Sequence, residues 1–444
     1  MDFYSRCEEA KEIIKQFKEP LVIGHYDCDG ITATAVASYG LKKLGKNHST
    51  LTIRKVSDRE LAKIGNSKEL IFVDLGASST ELIDKLDAQI VILDHHQTAA
   101  KKSNVFEVNP HMFGIDGGVE ICSAGVTYSV FQDLETIHLA IVGAIGDMQA
   151  PMRGLNSKIL EKAVKEKIIK CDRDLSLFGR VSRPLTWFLT YSLDPYIPGL
   201  TANEENCTKF LEDLGIRLKE NEKWLTYYDL TMAEREKLVT GLVKHLYSKG
   251  LGKTSSGLFG EVYTLLNQPK GTELSDGNEF STLINACGRN SRADIGIGVC
   301  LDNKDAYEQA KTLLALHRKS LREGISYGLT HTEDLGRFYF LDGRNIIPDG
   351  IIGIIAGMLY STKARNKPII AIAYDELGEI KVSGRATKEL VELGVNLGKL
   401  MKNSSSDFGF GGGHKAAAGA TIPKDRLNDF LLNASRELEN TVSN

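Results

Sequence analysis

Four places in the chain set strong cation or proton ligands at the end of an apolar run. "LVIGHYDCDG" (21–30) supplies His25, Asp27 and Asp29, and "LIFVDLG" (70–76) supplies Asp74. "QIVILDHHQT" (89–98) supplies Asp94, His95 and His96, and "VGAIGDMQ" (142–149) supplies Asp147. Singly, each has a plain reading. An Asp after a strand is ordinarily a turn former or helix cap, and a lone His is ordinarily a satisfied side chain. Brought to one rim, these carboxylates would repel one another unless cations neutralised them. Mixed carboxylate and imidazole donors suit divalent ions, with Mn²⁺ favoured and Mg²⁺ its competitor. The donors exceed what one ion needs. They suit two ions about 3.5–4 Å apart bridged by one carboxylate and a hydroxide. No GxSxG or Walker P-loop offers a rival chemistry.

The elements that must position these residues are β-branched runs alternating with helical ones. Strands are expected at 21–27, 50–56, 70–76 and 89–96. A small-residue helix, "ITATAVASYGLKKLG", separates the first two. "SSTELIDKL", capped by Ser78 or Ser79, separates the last two. Such alternation implies a parallel sheet wound by crossovers, with ligands at the carboxyl ends of its strands. Residues 123–148 read as one apolar helical stretch lying on that sheet. Pro184, Pro195 and Pro198 mark a change of texture. Residues 203 to about 300 are charged and mostly helical, and 302–329 form one long amphipathic helix. The last part returns to α/β texture, with a strand in "GRFYFLDG", a buried helix from Asp349 and a hairpin across 367–386. "DFGFGGGHKAAAGATIP" (407–423) reads as a glycine-rich loop, a small-residue helix and a strand. Successive N–H groups at Gly411, Gly412 and Gly413, a helix N-terminus, and the side chains of His414 and Lys415 would favour a phosphate. Arg385 ends a strand, and its plain reading is a surface ion pair. Arg344 is a weaker candidate.

The composition bounds the answer. With 444 residues, 42% hydrophobic and 25% charged, two or three soluble domains are expected. A net charge of -3 neither demands nor excludes nucleic acid, which needs only a local basic groove. Seven cysteines without a CxxC pair argue against structural zinc and for scattered reduced thiols. The first residues lack a signal-peptide core, and no apolar run is long enough to span a membrane. A cytoplasmic protein is expected.

"GHYDCDG", "VDLG", "LDHHQT" and "GDMQ" resemble the four ordered motifs of the DHH phosphoesterase superfamily. "GFGGGHKAAAGATI" resembles the GGGH motif of its associated C-terminal domain. "HYDCDG" is similar to RecJ-type nucleases. "EVNPHMFGIDGG", "RPLTWFLTYSLDPYIPGLT" and "EFSTLINACGR" resemble archaeal RecJ-like proteins, including the GINS-associated nuclease. The resemblance implies an α/β chain with a parallel-sheet DHH catalytic domain at 1–195. It implies a mostly helical insertion at 196–305. A linker helix and a smaller α/β DHH-associated domain would follow at 306–444. By the same resemblance Asp27 and Asp29 hold the first ion, with His25 an extra ligand, and Asp74 bridges. His95 and Asp147 complete the ligand set, His96 meets the scissile phosphate and Asp94 orients the pair. Gly411, Gly412, Gly413, His414, Lys415 and Arg385 would bind substrate. The implied activity is a two-metal exonuclease on single-stranded DNA or RNA in replication or repair. GINS or a replicative helicase complex would dock on the insertion, for which a helical spacer is the plain alternative. Two other classes stay open: a non-catalytic helicase-associated subunit, and a nano-RNA or cyclic-dinucleotide phosphodiesterase.

Overall fold

The apolar runs do form a parallel sheet. In this computed structural model, which describes residues 2–98, 105–192, 195–360 and 366–442, five strands build it: β1 (Leu21–His25), β2 (Ser49–Ile53), β3 (Glu69–Val73), β4 (Gln89–Leu93) and β5 (Phe106–Val108). Their order is β2-β1-β3-β4-β5, and every neighbouring pair is parallel. β3 and β4 are buried at all but their first residue, as strands covered on both faces are. The order reverses between β1 and β3, so a crevice opens there at the carboxyl edge. β1 ends in His25, Asp74 follows β3 and Asp94 follows β4. The topology therefore delivers three of the four motifs to one edge.

Helices α1 (Phe3–Gln16) and α2 (Cys28–Lys43), the single turns α3 (Asp58–Leu61) and α4 (Thr80–Ile83), and helices α5 (Ser123–Phe131), α6 (Ile137–Gly146) and α7 (Gly154–Lys165) complete the domain. α2 packs against β1, α5 and α6, and its small residues leave it almost wholly buried. Two expectations need correction. Residues 123–148 are two helices, because Gln132 takes a left-handed φ of 56° and Asp133 starts a new turn. Ser79 precedes α4 without capping it, since the preceding turn is a 3₁₀ helix that includes Ser79 itself.

The segment that follows is less helical than its composition suggests. β6 (Ile169–Leu175) and β9 (Phe259–Leu265) pair antiparallel along their whole length. Between them lie α8 (Leu185–Thr190), α9 (Glu204–Asp213), the short hairpin β7 (Lys219–Glu220) and β8 (Lys223–Trp224), and α10 (Met232–Ser248). These helices share a core that includes Phe188, Leu211, Tyr227, Leu238 and Leu242. α11 (Gly277–Arg289) and α12 (Ala293–Cys300) return to pack on α2. The long helix is α13 (Lys304–His331).

The chain forms two compact units, Met1–Leu314 and Ala315–Asn444. The second holds β10 (Thr332–Asp334), β11 (Tyr339–Asp342), α14 (Asp349–Tyr360), β12 (Ile369–Tyr374), β13 (Ile380–Arg385), α15 (Lys388–Glu392), α16 (Leu397–Ser405), β14 (Phe410–Gly413), β15 (Ala417–Ile422) and α17 (Leu427–Val442). Its mixed sheet runs β10-β11-β12-β13-β15-β14, and β12–β13 is the expected hairpin. The small-residue stretch after the glycines is a strand, not a helix. Ala418, Ala420 and Ile422 are buried at every second position, and β15 is paired on both sides. Two ladders of hydrogen bonds outweigh alanine's helix preference, which is a few tenths of a kcal/mol per residue. The expected helix N-terminus at the glycine motif is therefore absent.

Among the described residues no helix is long and apolar enough to cross a membrane, and all seven cysteines are free. One buried base has a measurable consequence. His138 on α6 is enclosed beside Asn267 and Gln268, and burial pushes its imidazole down to about 4. The unfolded chain takes up a proton near pH 6.5 while the native state stays neutral until about pH 4. This contribution to stability is complete above pH 6.5 and is lost as pH falls toward 4, by roughly 3 kcal/mol in all and about 2 kcal/mol by pH 5. Urea denaturation at pH 7.5 and pH 5 should show that loss in the wild type and a shallower one in His138→Gln. Equal slopes would remove His138 from the account.

Candidate metal centre

Each ligand is placed by a local feature of its own element. Asp27 caps α2 by accepting the Gly30 N–H at 3.1 Å on Oδ1, and its Oδ2 lies 2.9 Å from His25 Nδ1. The same His25 nitrogen is 3.2 Å from Asp74 Oδ2. Asp74 has a φ of 62°, a left-handed backbone that Asp tolerates better than most residues and that concentrates at functional sites. Its backbone N–H still reaches Leu93 O, so β3 and β4 hold the turn rigid. Its other oxygen, Oδ1, is 3.4 Å from His95 Nε2 and 3.9 Å from His96 Nδ1. Asp74 thus belongs to two ligand triplets, His25–Asp27–Asp74 and Asp74–His95–His96, each with its donor atoms within 4.8 Å of one another.

The remaining carboxylates surround His95. Its Nδ1 donates to Gly117 O at 2.7 Å, which turns Nε2 into the cluster, 3.8 Å from Asp29 Oδ2 and 3.8 Å from Asp147 Oδ2. Asp29 accepts from the Ser123 and Ala124 N–H groups at the start of α5, at 2.7 and 2.9 Å. Asp94 sits behind. Its Oδ2 takes the Ala77 N–H, and its Oδ1 takes the N–H groups of His95 and His96 and, at 2.8 Å, His96 Nδ1. His95 is buried and His96 half exposed.

Several supporting groups escaped the sequence reading. Gln149 Nε2 donates to Asp147 Oδ2 at 2.7 Å and to Gly117 O at 2.9 Å, and its Oε1 accepts from Asn156. Asn109 Nδ2 holds His96 O. From α11, Asn285 Oδ1 accepts the Cys28 N–H, and Gly288 lies so close to the ligand loop that a Cβ there would be 1.6 Å from Tyr26 O. The same helix brings Arg289, where burial pushes the guanidinium pKa down against the pull of Tyr26 and Asp27. The signal available was the helical spacing of Asn285, Gly288 and Arg289, which puts them on one face. Gln149 and Asn109 stood inside quoted segments without a role.

The electrostatics describe a cluster that balances acids against imidazoles. Burial alone would lower His25, yet Asp27 and Asp74 hold it well above its ordinary value. His95 rises well above its ordinary value for the same reason, against burial, through Asp74, Asp29 and Asp147. His96 is raised to about 9, because Asp94 outweighs burial. Burial would raise Asp74, but His25 and His95 hold it well below the carboxylate range. Burial and the Asp74 charge push Asp29 well up, and burial pushes Asp147 to about 6. Two atoms remain unanswered. Asp74 Oδ1 and His95 Nε2 are buried and, although 3.4 Å apart, make no well-formed hydrogen bond to each other or to any other described residue. Oxygen and imidazole donors converging on such atoms fit divalent cations.

The second unit carries the glycine motif on a sheet face. Lys381, Ser383 and Arg385 of β13 stand opposite Thr421, Gly419 and Ala417 of β15, and Gly412 and Phe410 of β14 continue that face. Together with Gly411 and Gly413 they line a groove of about 580 Å³. Arg385 donates to Gly384 O at 2.8 Å and, among the described residues, has no carboxylate partner. Arg344, by contrast, is paired to Asp342 at 2.6 Å. His414 and Lys415 occupy the exposed turn between β14 and β15, beyond the residues that line the groove.

Residues 20–151 match the DHH family N-terminal domain, 177–256 the DHH-CID domain and 338–440 the DHHA1 domain. An uncharacterized protein of Methanocaldococcus jannaschii is 31% identical over 96% of each chain. The single-stranded-DNA-specific exonuclease RecJ of Bacillus subtilis is 22% identical, aligned over 98% of this chain and 48% of its own length. Among solved structures, Thermus thermophilus RecJ in complex with Mn²⁺ superposes with a TM-score of 0.62 at 16% identity, over 99% of this chain and 55% of RecJ. CDC45 from Entamoeba histolytica superposes with a TM-score of 0.64 at 12% identity over 98% of each chain. The chain spans about half the length of those two RecJ proteins. With its DHH and DHHA1 domains in order and a RecJ-like fold throughout, the chain belongs to the DHH superfamily as a RecJ-like member.

Proposed function

We propose that the chain is a metal-dependent phosphodiesterase that shortens single-stranded DNA or RNA from one end, in the cytoplasm, during replication or repair. The observation that carries this reading is the sharing of Asp74 between two candidate ligand triplets, with its Oδ1 and His95 Nε2 buried and without a well-formed hydrogen bond among the described residues. His25, Asp27 and Asp74 would hold one divalent cation, and Asp74, His95 and Asp147, with Asp29 adjoining, a second; Mn²⁺ is favoured over Mg²⁺. Bound there, such ions activate water and neutralise charge on a phosphoryl group. Asp94 fixes the His96 ring through Nδ1, which leaves Nε2 for the substrate. Arg289 adds positive charge near Asp27. In the second unit Arg385, which has no carboxylate partner among the described residues, Ser383 and the N–H groups of Gly411 and Gly413, which the β14–β15 ladder leaves free, suit a phosphate, and His414 and Lys415 add donors on the adjoining turn.

A second reading makes the chain a non-catalytic subunit of a replicative helicase complex, docked to GINS through residues 196–305. The DHH-CID match and the fold shared with CDC45 favour it. The complete donor set favours the catalytic reading, because buried carboxylates without a counter-charge destabilise a fold.

The test is a time course with Mn²⁺ or Mg²⁺ on single-stranded DNA and RNA oligonucleotides labelled separately at each end, beside a dinucleotide. Stepwise shortening from one end is expected. Cleavage of the dinucleotide alone would assign a small-substrate phosphodiesterase. No hydrolysis with either ion would give the lead to the helicase-subunit reading.

A further inference from the structure

We propose that Phe410 is a stacking platform for a nucleobase, so that the groove of the second unit binds a base-bearing nucleotide and not a bare phosphodiester. The inference rests on the nuclease reading above and adds to it a residue that discriminates by the base.

Phe410 is 87% exposed, and no other described Phe, Tyr or Trp exceeds the 64% of Tyr247. It lies on β14, the outer strand of its sheet. An isolated apolar side chain on a surface needs no explanation. Phe410 is not isolated, because it stands at the end of the groove that Arg385 and Ser383 enter from the other side. Between them the floor is bare: Ala417 and Gly419 on β15 and Gly412 on β14 carry at most a methyl group, and a Cβ built on Gly412 would meet nothing within 4 Å. A flat floor with one free aromatic face at its end suits a planar, π-faced group. From Ala417, opposite Arg385, to Thr421, opposite Phe410, is four residues of strand, about 13 Å. That is a nucleotide-sized length. Arg385 at one end for phosphate and Phe410 at the other for a base, with Lys381 across Thr421 from Phe410, reproduce the two elements of single-strand binding, positive charge along the groove and an aromatic face. Stacking on an aromatic ring is tolerant of base identity, so the expected discrimination is base against no base, and not one base against another.

The test compares short single-stranded oligonucleotides with and without an abasic residue at successive positions from the attacked end, using the full-length protein with Mn²⁺. Wild type should prefer one base-bearing position by about 10-fold to 100-fold in KM. In Phe410→Ala that preference should collapse toward unity, through KM and with kcat little altered, and Phe410→Trp should restore it. Fluorescence polarisation of the same oligonucleotides reads the preference without turnover. Retention of the base preference in Phe410→Ala, by kinetics or by polarisation, would overturn the proposal. So would an equal loss of affinity for abasic and base-bearing strands. If wild type cleaves nothing, the nuclease reading fails, and polarisation alone decides whether Phe410 stacks a base.

Discussion

Asp74→Asn should abolish phosphodiester hydrolysis while the protein stays folded. The expected loss is on the order of 10³ or more, the scale on which single charged groups act in a preorganised site. Asn is the informative replacement because residue 74 has a φ of 62°, a conformation that Asn adopts as readily as Asp. The backbone turn and its bond to Leu93 should persist, and only the shared charge disappears. Both ligand triplets lose a member at once. Metal binding gives an independent readout. Cations that bind only the native state raise its stability, by about 2.7 kcal/mol at a concentration of one hundred times Kd. Mn²⁺ should therefore raise the Tm of wild type and should scarcely move that of Asp74→Asn. A variant that kept either the Mn²⁺-dependent cleavage or the full Mn²⁺-induced rise in Tm would sink the bridging role.

Gly288→Ala should damage the same centre from far away in sequence. A methyl group at position 288 would sit 1.6 Å from the carbonyl oxygen of Tyr26, between His25 and Asp27. The obstructing atom is backbone, so no side chain can swing aside. Either α11 withdraws, releasing the Asn285 bond to Cys28 N, or the ligand loop shifts. Overpacking of this kind costs about 1–3 kcal/mol. A displacement of about 1 Å at a reacting centre costs on the order of 100-fold in rate. The expected result is a folded protein with weaker Mn²⁺ affinity by calorimetric titration and a kcat lowered by about that factor. Unchanged affinity and rate would show that α11 yields without disturbing the ligands.

The two cases mark the limit of what the chain discloses in one dimension. The residues that cluster were legible because each stands at or just beyond the end of a buried strand or helix: Asp27 beyond β1, Asp74 after β3, the Asp94–His96 triplet after β4 and Asp147 after α6. The groups that aim them were not. Gly117 supplies only a carbonyl, Gln149 acts through a three-way bond network, and Asn285 and Gly288 arrive on a helix far along the chain. The β6–β9 ribbon was missed for a similar reason, since β6 is rich in charge and finds β9 only across the whole inserted segment. At 416–420 the alanine-rich composition argued for a helix, and the paired neighbours β13 and β14 decided for a strand.

The bare groove floor has one more consequence. Peptide groups and a guanidinium do not titrate near neutrality, so a phosphate held by Gly411, Gly413 and Arg385 would be insulated from acidity. The candidate metal centre has no such insulation, because Asp147 titrates at about 6 and a cation held there must compete with protons for its imidazoles and carboxylates. Acidification should thus act on the two units unequally: it should slow turnover at the centre before it weakens phosphate binding in the groove.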